Sequence, residues 1–183
     1  MKKKIVKQKV TKKAAKKPLP RKTAAKISKA GVSVGSAVPQ FSLPSTGGRT
    51  VLSDMLKGKA VVLYFYPRDA TPGCTLEGHD FSKLHAEFKS AGAQVFGVSR
   101  DSMKSHEKFK DCEKYSIDLL SDEDEKVCKL FGVIKMKNMY GKQVRGIERS
   151  TFVIDRDGNL VKEWRGVKVP GHAAAVLEFL KSL

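Results

Sequence analysis

The sequence predicts an α/β domain, a mixed sheet with helices on both faces, behind a basic N-terminal tail. Three observations carry that prediction. Val61-Val62-Leu63-Tyr64-Phe65-Tyr66 is an unbroken apolar, β-rich run, as in a strand covered on both faces. Strand-like and helix-like segments alternate from that run to residue 131. Asp157-Gly158 between two β-rich segments is a strong hairpin signal, which adds antiparallel strands.

The elements follow in order. Gly47-Gly48 separates Phe41 to Leu43 from Arg49 to Leu52, a first hairpin. Lys57-Gly58-Lys59 leads into the buried strand Ala60 to Tyr66. Thr75 to Lys89 reads as a helix, with Leu76, Leu84 and Phe88 on one face and Phe81 beside them. Ala93 to Ser99 is a second buried strand. Ser102 is placed to cap a helix running to about Tyr115. Ile117 to Leu120 reads as a short strand and Asp124 to Phe131 as a short helix. Ser150 to Asp155 and Asn159 to Trp164 form the second hairpin. His172 to Leu183 closes the chain as a helix with Val176, Leu177 and Leu180 on its apolar side.

Charge divides the chain. The net charge is +17 over 183 residues, and residues 1–31 hold 13 Lys or Arg and no acid. This stretch has no aromatic residue and little to bury, so residues 1–33 are expected to be a disordered tail and residues 34–183 the folded domain. Such a tail suits weak, non-specific nucleic-acid binding by counterion release. A solvated solubility tail or an atypical transit segment would share its composition. No window approaches the ~18 apolar residues of a membrane span, and none near Met1 resembles a secretory core. Three cysteines, an odd number, argue against a disulfide scaffold and for a reducing, cytoplasmic setting with one or two working thiols.

One of those thiols is specially placed. Pro67-Arg68-Asp69-Ala70-Thr71-Pro72-Gly73-Cys74 puts Cys74 where a buried strand ends and a helix begins. Unpaired N–H groups and the positive end of the helix dipole favour a thiolate there, the form that attacks electrophiles. A lone Cys before a helix is otherwise a small buried hydrophobe, and Thr71 a turn residue.

The surroundings decide between these readings. Pro67-x-x-x-Thr71-x-x-Cys74 resembles the peroxiredoxin active-site motif. The string from Phe65 to Glu77 is similar to the bacterioferritin-comigratory-protein branch, also called the Q type. Gly97 to Ser102, Leu120-Ser121-Asp122 and Glu148 to Phe152 match that branch in the same order. The resemblance covers about Gly35 to Leu183.

It implies a thioredoxin-like fold and a thiol peroxidase that reduces hydrogen peroxide and organic hydroperoxides, with thioredoxin as reductant. It also implies a monomer that needs no metal or organic cofactor. Cys74 is then the nucleophile, and the Thr71 hydroxyl holds thiolate and peroxide. Pro67, with fixed φ and no N–H, walls off water. Arg149 favours the thiolate and grips the oxygens, an assignment spacing alone could not make. Glu77 is left as compensation for the helix dipole, with a supporting role at the site kept open.

The attack leaves a sulfenic acid, rescued by a second thiol. The branch places that resolving cysteine at one of two positions, which here are His79 and Lys110. Cys112 lies two residues beyond Lys110, about 200° around a helix. Near the predicted helix end, where fraying is cheap, it is the expected resolver. Cys128 reads as core packing. If neither serves, an external thiol completes the cycle.

Other chemistries lack their parts. Thr71 stands where a dithiol motif needs a second Cys. His79 and His85 lead away from Cys74 along the helix, which argues against a Cys–His hydrolase. Cys112 and Cys128 have no near pair for zinc, and His106 and His172 read as surface or cap residues. No phosphate-binding glycine loop is present. The alternative from another class is a nucleic-acid-associated protein that uses the domain as a scaffold. A scaffold has no need of Pro67, Thr71, Cys74 and Arg149 together.

Overall fold

A computed structural model describes residues 31–139 and 142–183. The elements are β1 (Ser42–Ser45), β2 (Arg49–Leu52), β3 (Ala60–Phe65), α1 (Pro72–Lys83), α2 (His85–Ser90), β4 (Ala93–Ser99) and α3 (Met103–Glu113). They continue with β5 (Asp118–Ser121), α4 (Lys126–Leu130), β6 (Ile134–Met139), β7 (Lys142–Ile147), β8 (Ser150–Ile154), β9 (Leu160–Arg165) and α5 (His172–Lys181). Seven strands form one sheet in the order β2-β1-β5-β4-β3-β8-β9, and β6 and β7 make a separate ribbon. β3, β4 and β5 run parallel, joined by helical crossovers, while β8 and β1 pair antiparallel at the flanks.

The buried run is the centre of this sheet, and its period of two feeds two cores. Val62, Tyr64 and Tyr66 pack with Phe81, Phe88, Phe109 and Val176, under α1, α2, α3 and α5. Val61, Leu63 and Phe65 pack on the other face with Val127, Phe131, Val133 and Phe152. Tyr64 stacks on Phe81 at 4.6 Å between ring centroids, and Phe65 meets Phe131 and Phe152. Gly97 on β4 makes room for Tyr64, since a Cβ there would come within 2.5 Å of its hydroxyl oxygen.

Three expectations need correction. The helix after β3 starts at Pro72 and bends at Leu84, so Cys74 lies inside its first turn. The Phe88 N–H still reaches Leu84 O at 3.0 Å, so the break is a bend and the hydrogen bonding carries through it. Leu76 is exposed: the stripe that α1 buries is Cys74, Glu77, Gly78 and Phe81, spaced three and four apart. Two of those four are not recognisable as core residues from sequence. The β6–β7 ribbon, to which the sequence pattern assigns no element, pairs Ile134 with Ile147 and buries Ile147 completely. Ser102 caps α3 as expected, accepting from Ser105 N. The basic tail lies outside the described residues apart from its end, where Val32 N donates to Leu130 O at 3.1 Å.

Candidate active site

Strand register assembles the site. β8 runs antiparallel to β3 with Phe65 opposite Ser150, so Arg149 arrives beside the end of β3, where Tyr66 and Pro67 lead toward α1. Pro67 is half-buried at this exit. Thr71 is the N-cap of α1 with extended backbone, and Pro72 takes the first helical position, where a missing N–H costs nothing. A helix that starts there leaves the N–H groups of Gly73 and Cys74 without intrahelical acceptors, and they form a donor site for negative charge.

Arg149 closes over this turn. Its Nη2 donates to Cys74 Sγ at 3.3 Å, and its Nη1 donates to Glu77 Oε2. Cys74 is 2% exposed and Glu77 1%, so both ends of the contact are desolvated. A Cβ on Gly73 would meet Arg149 Nη2 at 3.3 Å, so the glycine allows the guanidinium its close approach. Burial pushes the Glu77 carboxyl up to about 7, against the opposing pull of Arg149. Burial also disfavours the Arg149 charge, but Glu77 and the Cys74 sulfur outweigh it and hold the guanidinium protonated. Glu77 Oε1 has no hydrogen-bond partner among the described residues. The Glu77 side chain therefore orients Arg149 through one oxygen only, which is the supporting role rather than dipole compensation alone.

Thr71 caps the helix that carries Cys74. Its hydroxyl donates to Arg68 O at 3.1 Å, which commits its one proton to the turn and leaves lone pairs for an approaching donor. His172 and His106 are buried, contrary to their reading as surface or cap residues. His172 Nε2 meets Thr151 Oγ1 at 2.8 Å, and burial together with nearby Arg149 brings its ring down to about 4, so it is neutral at pH 7. His106 bonds Asp69, which sits in the loop before Cys74. Nothing in the sequence pattern gives Asp69 a role of its own, or Gly73 one beyond its backbone N–H.

The remaining cysteines differ in setting. Cys112 is exposed near the end of α3. That end faces α1: His79 Nε2 meets Glu113 Oε2 at 2.8 Å, and Tyr115 OH donates to Thr75 O at 3.0 Å. Lys110 turns away, its Nζ on Asp118 and Thr46. Cys128 is fully buried, and burial with the Asp122 carboxylate pushes its thiol well up. No group of three or more metal-ligating side chains is found among the described residues.

A desolvated cysteine in the first turn of a helix, gripped by an arginine, on a mixed sheet of this order, defines a thiol-based oxidoreductase. Similarity to known proteins gives the family. The AhpC/TSA family model matches residues 34–163. Peroxiredoxin Bcp of Xanthomonas campestris is 54% identical over 144 residues, covering 78% of this chain and 90% of that protein. Peroxiredoxin Bcp of Bacillus subtilis is 45% identical over 152 residues, covering 83% and 97%. Among solved structures, Xanthomonas campestris peroxiredoxin Q superposes with a TM-score of 0.77 at 50% identity, covering 85% of this chain and 98% of that one. A PrxQ mutant of Xylella fastidiosa reaches 0.80 at 42% identity, covering 84% and 98%. The chain belongs to the AhpC/TSA family, in its peroxiredoxin Bcp or Q branch, with the thioredoxin-like fold of that group. As an enzyme it is a thiol peroxidase.

Proposed function

We propose that Cys74 is the nucleophile of hydroperoxide reduction and that Arg149, oriented by Glu77, holds the reacting oxygens. The observation that carries this reading is the Arg149 guanidinium, 3.3 Å from Cys74 Sγ and anchored on a buried carboxylate. The thiolate sulfur attacks one peroxide oxygen and the O–O bond breaks. The sulfur becomes a sulfenic acid, and the leaving oxygen takes a proton to give water or an alcohol. Charge grows on that leaving oxygen, and in this reading Arg149 and the N–H groups of Gly73 and Cys74 stabilise it. Pro67 shields the turn, and Thr71 accepts from the peroxide. Substrates are hydrogen peroxide and small organic hydroperoxides. A Xanthomonas campestris relative of this fold is described by its alkyl peroxide reduction activity.

Cys112 completes the cycle in this reading. Its sulfur attacks the Cys74 sulfenic acid, water leaves, and a disulfide forms, which the dithiol of thioredoxin reduces by exchange. Support comes from the contacts of Glu113 and Tyr115 with His79 and Thr75, which bring the end of α3 against the first turns of α1. A disulfide needs Cα atoms within about 7 Å. Cys74 is buried and Cys112 exposed, and in this reading the turn and the helix end unwind to bring them together. Mass spectrometry after one equivalent of peroxide tests the assignment. A Cys74–Cys112 disulfide is expected. A Cys74–Cys128 link, or normal cycling by Cys112→Ser, refutes it.

The same reading takes the protein as a cytoplasmic monomer with residues 34–183 as its working domain. No helix among the described residues is long and apolar enough to cross a membrane. A second activity rests on charge: 13 of the basic residues lie in residues 1–31, so the tail suits weak polyanion binding separate from catalysis. Removal of residues 1–31 should weaken DNA binding strongly at ~50 mM salt and leave peroxide turnover nearly unchanged.

A further inference from the structure

The peroxide chemistry described so far leaves one buried ionisable cluster unused. Asp69 lies in the loop between β3 and α1, and its carboxylate is buried. Tyr66 OH donates to its Oδ1 at 2.8 Å and Ser105 Oγ to its Oδ2 at 2.7 Å. His106 Nδ1 sits 2.9 Å from Oδ2 and 3.1 Å from Oδ1. The other ring nitrogen, Nε2, is 3.2 Å from Leu120 O on β5. Each ring nitrogen therefore faces an acceptor, Nδ1 the carboxylate and Nε2 the backbone carbonyl. The Asp69 backbone N–H is held as well, by Asp101 Oδ2 at 3.0 Å, and Ser99 Oγ donates to that same oxygen. Burial alone would raise the Asp69 carboxyl; the bonds from His106, Ser105 and Tyr66 outweigh it and keep it below its usual range.

The next residue shows what this cluster does. Ala70 has φ of 54°, a left-handed conformation that an alanine rarely adopts. Thr71 follows as the cap of α1, then Cys74. The loop is therefore held against its own preference, with Asp69 as the fixed point on one side and the helix on the other. The fixing groups come mainly from α3 and the turn before it. The far end of that same helix carries Cys112.

We propose that the Asp69–His106 pair, with Ser105, positions the nucleophile's loop for the peroxide step and ties its release to α3. While the pair is made, Pro67 and Thr71 stay in register with Cys74 and Arg149. When it breaks, the loop and α3 loosen together, which favours disulfide formation over a second peroxide attack. In that second attack the sulfenic acid sulfur displaces another alcohol or water from a peroxide and becomes a sulfinic acid. The first half rests on Cys74 as nucleophile, the second on Cys112 as resolver.

The test uses the full chain. In a Cys112→Ser background, stopped-flow oxidation of Cys74 by hydrogen peroxide is compared with and without Asp69→Asn, His106→Gln and Ser105→Ala. Asp69→Asn and His106→Gln should slow oxidation about tenfold or more, since small misplacements of reacting groups are expensive. Ser105→Ala, which removes one donor and leaves the buried pair, should slow it by a smaller factor in the same direction. Val176→Ala, a core change on α5, serves as a control for lost thermal stability and should not slow it. With Cys112 restored, Asp69→Asn should yield less sulfinic acid at a fixed peroxide excess. The proposal is overturned if the folded variants oxidise within twofold of their parent, or if Val176→Ala slows as much. Should Asp69→Asn and His106→Gln fail to fold, Ser105→Ala decides alone. Absence of Cys74 oxidation in the Cys112→Ser parent would instead strike at the proposed nucleophile. A normal peroxide rate effect with unchanged sulfinic yield would remove the coupling to α3.

Discussion

Cys74 and Cys128 are both buried thiols near the start of a helix, yet their neighbours carry opposite charge. Cys74 begins α1 with a guanidinium on its sulfur and two free N–H groups in its turn. Cys128 begins α4 with a carboxylate for a neighbour: Asp122 Oδ2 accepts the Cys128 N–H at 2.6 Å. That bond occupies a donor that would otherwise face an anion, and the Asp122 charge opposes a thiolate. Burial is therefore common to both sites, and the sign of the buried neighbour separates them.

The largest expected break in this comparison comes from the sulfurs themselves. Cys74→Ser should abolish peroxide turnover, because a neutral hydroxyl cannot replace a thiolate. Cys128→Ser should leave the peroxide rate unchanged and lower only the melting temperature. Removing the cation comes next. Arg149→Ala should slow Cys74 oxidation by about 10²-fold, the usual cost of losing a pre-aimed donor to developing charge, as read by stopped flow. Glu77→Gln should slow it less, since the guanidinium keeps its sulfur contact and loses only its anchor. Gly73→Ala should cost a few-fold, because the added Cβ pushes Arg149 back by a few tenths of an ångström.

The smallest effect is a pH effect on stability. The folded-state pKa of His172 lies near 4, below its ordinary value of 6.5. The unfolded chain therefore binds the extra proton first as pH falls. The stability carried by neutral His172 is fully present above about pH 6.5 and is lost between there and pH 4. Urea midpoints for His172→Gln should fall less steeply across that window than those of the parent. Glu77 works the other way, since its carboxyl is raised to about 7 and its charged form is the disfavoured one. Its cost appears as pH rises, so the two groups are separable by the direction of the slope.

The two thiols also show what a sequence can and cannot disclose. The order of strands and helices from β3 to α4 is legible because apolar runs, caps and turn glycines are local signals. Cys74 is legible for the same reason, within one strand-turn-helix unit. Arg149 is reached only through the resemblance, since its place depends on β8 pairing with β3 across the sheet. His106 and His172 are misread because polar residues default to the surface, and only their distant partners explain their burial; the burial of Glu77 likewise depends on Arg149 at the approach to β8. Leu76 is misplaced for the complementary reason: a thiol, a carboxylate and a glycine occupy the helix face that an apolar count gives to it. The β6–β7 ribbon carries Lys, Met and Asn in alternation, which lacks the β-branched enrichment that marks a strand.

The most direct test of the contrast is site-resolved labelling of the reduced protein. Sub-stoichiometric hydrogen peroxide is added in the presence of a sulfenic-acid trap, and all three cysteine peptides are quantified by mass spectrometry. The trapped oxygen is expected on Cys74, with Cys128 unlabelled, and Arg149→Ala should lower the Cys74 label without raising the other. Label on Cys128 at a yield equal to that on Cys74, or a Cys74 label indifferent to Arg149, would contradict the assignment of chemistry to the cation-paired thiol.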